Sequence, residues 1–187
     1  MKKIAIFASG SGSNAENIAN YFEGKNLVEI SLILTNNPSA FVIERAKKMK
    51  IPCFVFSKTD FAETDFVLNE LLKAGVDWIV LAGFLLKVPQ NLLTAFEGRI
   101  VNIHPALLPK FGGKGMYGDR VHQAVVDSGE TESGITVHYV NEHYDEGAII
   151  FQAKCTVAPE DTADEVAAKV HALEYEYFPK AIEQLIK

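Results

Sequence analysis

The chain has 187 residues, of which 48% are hydrophobic and 22% charged, enough for one substantial core and too few for two independent ones. Its formal charge of -6 excludes nucleic acid and anionic membranes as bulk partners, since both need a concentrated basic face, and leaves open small anionic ligands at local sites. Cys53 and Cys155 lie far apart in apolar runs, with neither C-x-x-C spacing nor disulfide density, which is the pattern of reduced core thiols in a cytoplasmic protein.

Residues 3–8 form a short apolar run without alternation, as expected of a central parallel strand covered on both faces; it is too short for a signal peptide. Ser9-Gly10-Ser11-Gly12-Ser13-Asn14 turns it into a helix over 15–22. A second strand over 28–35 ends at Asn36-Asn37-Pro38, and Ser39 is placed to cap a helix reaching Lys50. Residues 51–56 predict a third strand and 59–74 one helix. A fourth strand spans 77–82, a short helix runs from Pro89 to Phe96, and a fifth strand spans 99–103. This βαβ rhythm predicts an α/β fold with a mostly parallel sheet and helices on both faces. After His104 the texture changes. A loop over 110–119 holds four glycines, a helix over 120–127 follows, strands are expected at 134–140 and 148–157, and a helix starting at Asp161 or Thr162 ends the chain.

Three motifs carry chemistry. Gly10-Ser11-Gly12-Ser13-Asn14-Ala15 formally fits the dinucleotide fingerprint, so an oxidoreductase must be weighed. That fingerprint needs an acidic residue at the end of the second strand, where Thr35-Asn36-Asn37 stands instead. What survives is a helix N-terminus lined by small hydroxyl and amide side chains, a site for one phosphate. Asn102 and His104 are two apart at the C-terminal end of a strand, so they project to one face where open α/β sheets bind ligands. Asp145, alone, reads as a turn residue; beside His104 its carboxylate would favour imidazolium and allow proton exchange. His122, His143 and His171 read as core or surface histidines, and His138 is ambiguous. No zinc spacing and no G-x-S-x-G elbow occurs. An amide donor with two proton-handling groups and no nucleophile suits direct group transfer through an oxyanion. A non-catalytic phosphate-binding domain would explain the first loop and leave Asn102, His104 and Asp145 unused.

Taken together, Gly10-Ser11-Gly12-Ser13-Asn14, Ala82-Gly83-Phe84, Asn102-Ile103-His104-Pro105-Ala106-Leu107-Leu108-Pro109, Gly134-Ile135-Thr136-Val137-His138 and Asp145-Glu146-Gly147 resemble the phosphoribosylglycinamide formyltransferases, folate-dependent enzymes of purine synthesis. The Asn-x-His with a later Asp is shared with other formyltetrahydrofolate-dependent transferases and hydrolases, which remain the alternative. The resemblance implies one three-layer, Rossmann-like domain over 1–187, with an antiparallel strand near the C-terminal end. Residues 1–100 would form the phosphate-binding half and 101–187 the catalytic and folate-binding half. It implies Asn102, His104 and Asp145 as catalytic residues, Gly12, Ser13, Asn14 and Glu174 as contacts to the ribonucleotide, and Leu85, Leu86, Lys87, Val88 and Asn102 as folate contacts. Leu85-Leu86 stands where a Met-Arg pair often follows Ala-Gly-Phe in this family. Its co-substrate would be 10-formyltetrahydrofolate, without metal; the partners would be small molecules, not nucleic acid or membrane, and the state a monomer or weak homodimer.

Overall fold

Apolar strands covered on both faces account for the first hundred residues, and the computed structural model describes all of residues 1–187. The elements run β1 (Lys2–Phe7), α1 (Ser13–Phe22), β2 (Val28–Thr35), α2 (Val42–Met49), β3 (Cys53–Val55), α3 (Lys58–Glu63), α4 (Phe66–Lys73), β4 (Trp78–Leu81), α5 (Gln90–Ala95), β5 (Ile100–His104), α6 (Asp119–Asp127), β6 (Glu132–Tyr139), β7 (Ile149–Thr156) and α7 (Ala163–Ile186). Strand order is β3-β2-β1-β4-β5-β6-β7. The chain divides within β5 into two units, one of Met1–Val101 with Ile186–Lys187 and one of Asn102–Leu185.

In the first unit β1 pairs in parallel with β2 and β4, and β2 with β3. Ile4, Ala5, Ile6 and Phe7 are all buried, as a central strand with no wet face requires. Phe7 meets Phe84 at 5.2 Å and Phe56 at 6.0 Å between ring centroids, and Phe61 packs on both Phe56 and Phe84. This aromatic cluster fixes the loop after β4 to the core. In the second unit β6 and β7 pair antiparallel, with a register shift at Val137/His138.

Two local expectations are corrected. The helix over 59–74 is two helices, because Thr64 is extended: its hydroxyl donates to the Asp60 carbonyl (2.7 Å) and accepts the Phe66 N–H (3.2 Å). A threonine that bonds its own backbone in this way competes with the helical ladder. Ser57 and Asp60 close a reciprocal capping box at the start of α3. Ser39 caps nothing. Its N–H is taken by the Asn37 side chain (2.9 Å) in a local turn, and α2 begins only at Val42.

Candidate active site

The first loop leaves β1 at Phe7 and enters α1 at Ser13. Gly12 is the N-cap residue, in the left-handed conformation (φ 72°), and no side chain takes the cap hydrogen bond. Any Cβ at Gly12 would collide with Val42 in the first turn of α2, so only glycine fits here. Ser13 and Asn14 are half-buried at the helix mouth and Ser11 is exposed. The positive end of α1 opens at this turn, where backbone N–H groups can accept an anion. Ser9 anchors the loop after β4: its N–H donates to the Gly83 carbonyl (3.0 Å) and its hydroxyl accepts from the Leu85 N–H (3.0 Å). Leu85 and Lys87 are exposed, Leu86 is half-buried, and Val88 is buried, so Val88 can offer a ligand its backbone only.

The second unit brings Asn102, His104 and Asp145 together and adds His138. Asp145 presents one carboxylate oxygen to His104 Nδ1 at 3.6 Å and the other to His138 Nε2 at 3.7 Å. Both distances lie beyond direct hydrogen bonding and within ion-pair range. His104 is 3% exposed, and its Nε2–H donates to the Phe111 carbonyl (2.8 Å), so Nδ1 is the nitrogen that faces the carboxylate. His138 is fixed in the opposite sense. Its Nδ1–H donates to the Tyr139 carbonyl (2.8 Å), which leaves Nε2 to accept from the Asn102 amide nitrogen (3.1 Å). Burial holds the His138 imidazole below its ordinary pKa, against smaller opposing contributions from the Tyr139 carbonyl and Asp145. A neutral His138 therefore settles which way the Asn102 amide points, and the second N–H of that amide is left for a ligand.

The loops are built to hold this set. Asp145 is left-handed (φ 57°), a conformation that aspartate tolerates, and its carboxylate accepts the Gly113 N–H (2.9 Å). Gly112 lies where a Cβ would strike Leu108 and crowd Asp145, and Gly147 where a Cβ would strike the Tyr139 carbonyl. This accounts for one glycine in each loop, Gly112 and Gly147. On β6, Gly134, Thr136 and His138 share one face. The Thr136 hydroxyl, fully buried, donates to the Ala106 carbonyl (2.7 Å) and accepts from the Leu108 N–H (3.0 Å) and Gln152 (2.9 Å). Thr136→Val would leave those groups unpaired, and urea unfolding should show a loss of about 2–4 kcal/mol, as expected for more than one buried polar group without a partner. His138, ambiguous from the sequence, falls by this alternation on the face that carries Thr136.

Glu174 lies in α7, 4% exposed, and its carboxylate pairs with His171 Nδ1 at 2.9 Å. His171 is raised above its ordinary pKa by that hydrogen bond. His122, from α6, is 3% exposed and its Nδ1 has no partner; burial lowers its pKa, and the nearby His171 and His104 lower it further. A raised histidine adds stability below its unfolded value of 6.5, which is lost as pH climbs through the folded value. Lowered histidines do the reverse and cost stability as pH falls below 6.5. Unfolding free energy should thus decline on both sides of that region. His171→Gln should abolish the alkaline decline and keep the acid one, a comparison that urea titrations at several pH values can make.

No group of three or more His, Cys, Asp or Glu side chains gathers as a metal site, and no helix is long and apolar enough to cross a membrane. The chain belongs to the formyl transferase family, whose model matches residues 2–182. Its relatives include the chloroplastic phosphoribosylglycinamide formyltransferase of Arabidopsis thaliana, 42% identical over 97% of this chain and 64% of that one. Phosphoribosylglycinamide formyltransferase of Bacillus subtilis is 39% identical over 100% of this chain and 95% of its own. Glycinamide ribonucleotide transformylase 1 from Geobacillus kaustophilus has a crystal structure with TM-score 0.91 and 37% identity over 100% of both chains. The chain spans just under two thirds of the plant relatives' length, 64% in Arabidopsis and 61% in Vigna unguiculata.

Proposed function

We propose that the chain is a phosphoribosylglycinamide formyltransferase, moving the formyl group of 10-formyltetrahydrofolate to the amine of glycinamide ribonucleotide. The observation that carries this reading is the single carboxylate of Asp145 facing both His104 and His138, with the Asn102 amide oriented by His138. The substrate amine attacks the formyl carbon and a tetrahedral intermediate forms. Its oxyanion is held by the free N–H of Asn102 and by His104 Nε2–H, which must exchange the Phe111 carbonyl for it. The amine proton passes by way of Asp145 and water to the folate nitrogen, the carbon–nitrogen bond to the folate breaks, and tetrahydrofolate leaves. No covalent intermediate on the protein is needed.

Gly12, Ser13 and Asn14 are assigned to the nucleotide phosphate and Glu174 to the ribose, as a buried carboxylate able to accept from two hydroxyls. Leu85 to Val88 and Asn102 are assigned to the folate, which enters as a co-substrate without metal. The same reading puts the enzyme in the cytoplasm, with Cys53 and Cys155 as free thiols, acting as a monomer or weak homodimer. Mixing the purified chain with both substrates and following folate absorbance tests the function. Formyl transfer to the ribonucleotide is expected. Turnover only on another amine, or hydrolysis alone, would move the assignment to a different formyl-folate enzyme.

A further inference from the structure

We infer that Arg45, on α2, is a positioning residue for the nucleotide phosphate: it orients the first loop and neutralises a carboxylate at that loop's edge. This inference rests on the assignment of the phosphate to Gly12, Ser13 and Asn14. The Arg45 Nε–H donates to the Ser11 carbonyl (2.9 Å), a terminal nitrogen lies 3.5 Å from the Ser11 hydroxyl, and the other terminal nitrogen pairs with the Glu16 carboxylate. The guanidinium carbon also sits 5.0 Å over the Phe41 ring, which holds the head group in place.

Each contact has a consequence for an anion. A trans peptide points its C=O and the following N–H in opposite directions, so binding the Ser11 carbonyl turns the Gly12 N–H away from Arg45. Glu16 stands in the first turn of α1, where its negative charge draws on the same positive helix end that a phosphate would use. Unneutralised, it would also repel the phosphate. Arg45 cancels that charge with its guanidinium. The backbone fixes the approach: the Val42 N–H donates to the Gly10 carbonyl (3.1 Å) and Gly12 packs directly on Val42, which ties α2 to the loop.

Binding of ribose 5-phosphate by calorimetry, together with steady-state kinetics, tests the role. Arg45→Met should weaken ribose 5-phosphate binding and raise KM for the ribonucleotide by about tenfold, the order of one charge-assisted hydrogen bond, with kcat and the folate KM little changed. Glu16→Gln should act in the opposite direction and tighten binding, less so at high salt, because it frees the Arg45 charge at a partly exposed site. The Arg45→Met/Glu16→Gln double variant should bind more tightly than Arg45→Met alone. A purely structural arginine would not produce this reversal of sign. Should Arg45→Met fail to fold, Arg45→Lys, which keeps the charge and loses the fork, should give an intermediate KM, and Glu16→Gln still reads the charge effect. The inference falls if Arg45→Met binds as wild type does, if kcat drops with the ribonucleotide KM unchanged, or if Glu16→Gln weakens binding. A wild-type chain that transfers formyl groups without binding ribose 5-phosphate overturns the phosphate assignment and this inference together. One that binds it without formyl transfer overturns the proposed reaction and leaves the Arg45 measurement standing.

Discussion

Asp145→Asn should lower kcat by about a hundred- to ten-thousandfold, the range in which a positioned acid–base group contributes, while thermal melting stays close to wild type. The substitution is nearly isosteric, and an asparagine oxygen can still accept the Gly113 N–H that the carboxylate accepts at 2.9 Å. What disappears is the charge between two imidazoles, 3.6 Å from one and 3.7 Å from the other. An amide cannot take up and release a proton at neutral pH, so in the proposed reaction the transfer from the attacking amine to the departing folate nitrogen would lose its carrier. Ribonucleotide binding should hardly change, since the effect falls on chemistry. Saturating-substrate kinetics beside a melting curve separate the two. A variant within tenfold of wild type would remove Asp145 from proton transfer.

Asn102→Ala should cost about a hundred- to thousandfold in kcat, the usual loss for one oxyanion donor. His138→Phe should give part of the same loss, because the ring is replaced but the acceptor that holds the Asn102 amide at 3.1 Å is gone. The two losses should not add. Once Asn102 is alanine there is no amide left to orient, so the double variant should be about as slow as Asn102→Ala by itself. Fully additive losses in this cycle would mean that His138 acts on the reaction by a route other than Asn102.

The alternation of short apolar strands with helices made the parallel part of the sheet readable, because strands buried on both faces must be continuously apolar. β2 falls on the residues expected, Val28–Thr35, while the helix over 59–74 breaks where one threonine hydroxyl takes a backbone partner, a local competition that periodicity does not register. Asn102 and His104 could be paired from their spacing alone, and the turn from β1 into α1 from its glycines and hydroxyls. Chain order alone determined these, since each rests on residues close in sequence. Tertiary structure decided what depends on distant ones. It set Asp145 within reach of two histidines at once and turned His138 from an ambiguous strand residue into the group that aims Asn102. It also laid His122, with its unpartnered Nδ1, against His171 of α7. Arg45 belongs to none of the sequence motifs, and its contacts come from the packing of α2 against the loop after β1. A side chain's role at such a place is fixed by what packs across from it, and no local pattern along the chain records that.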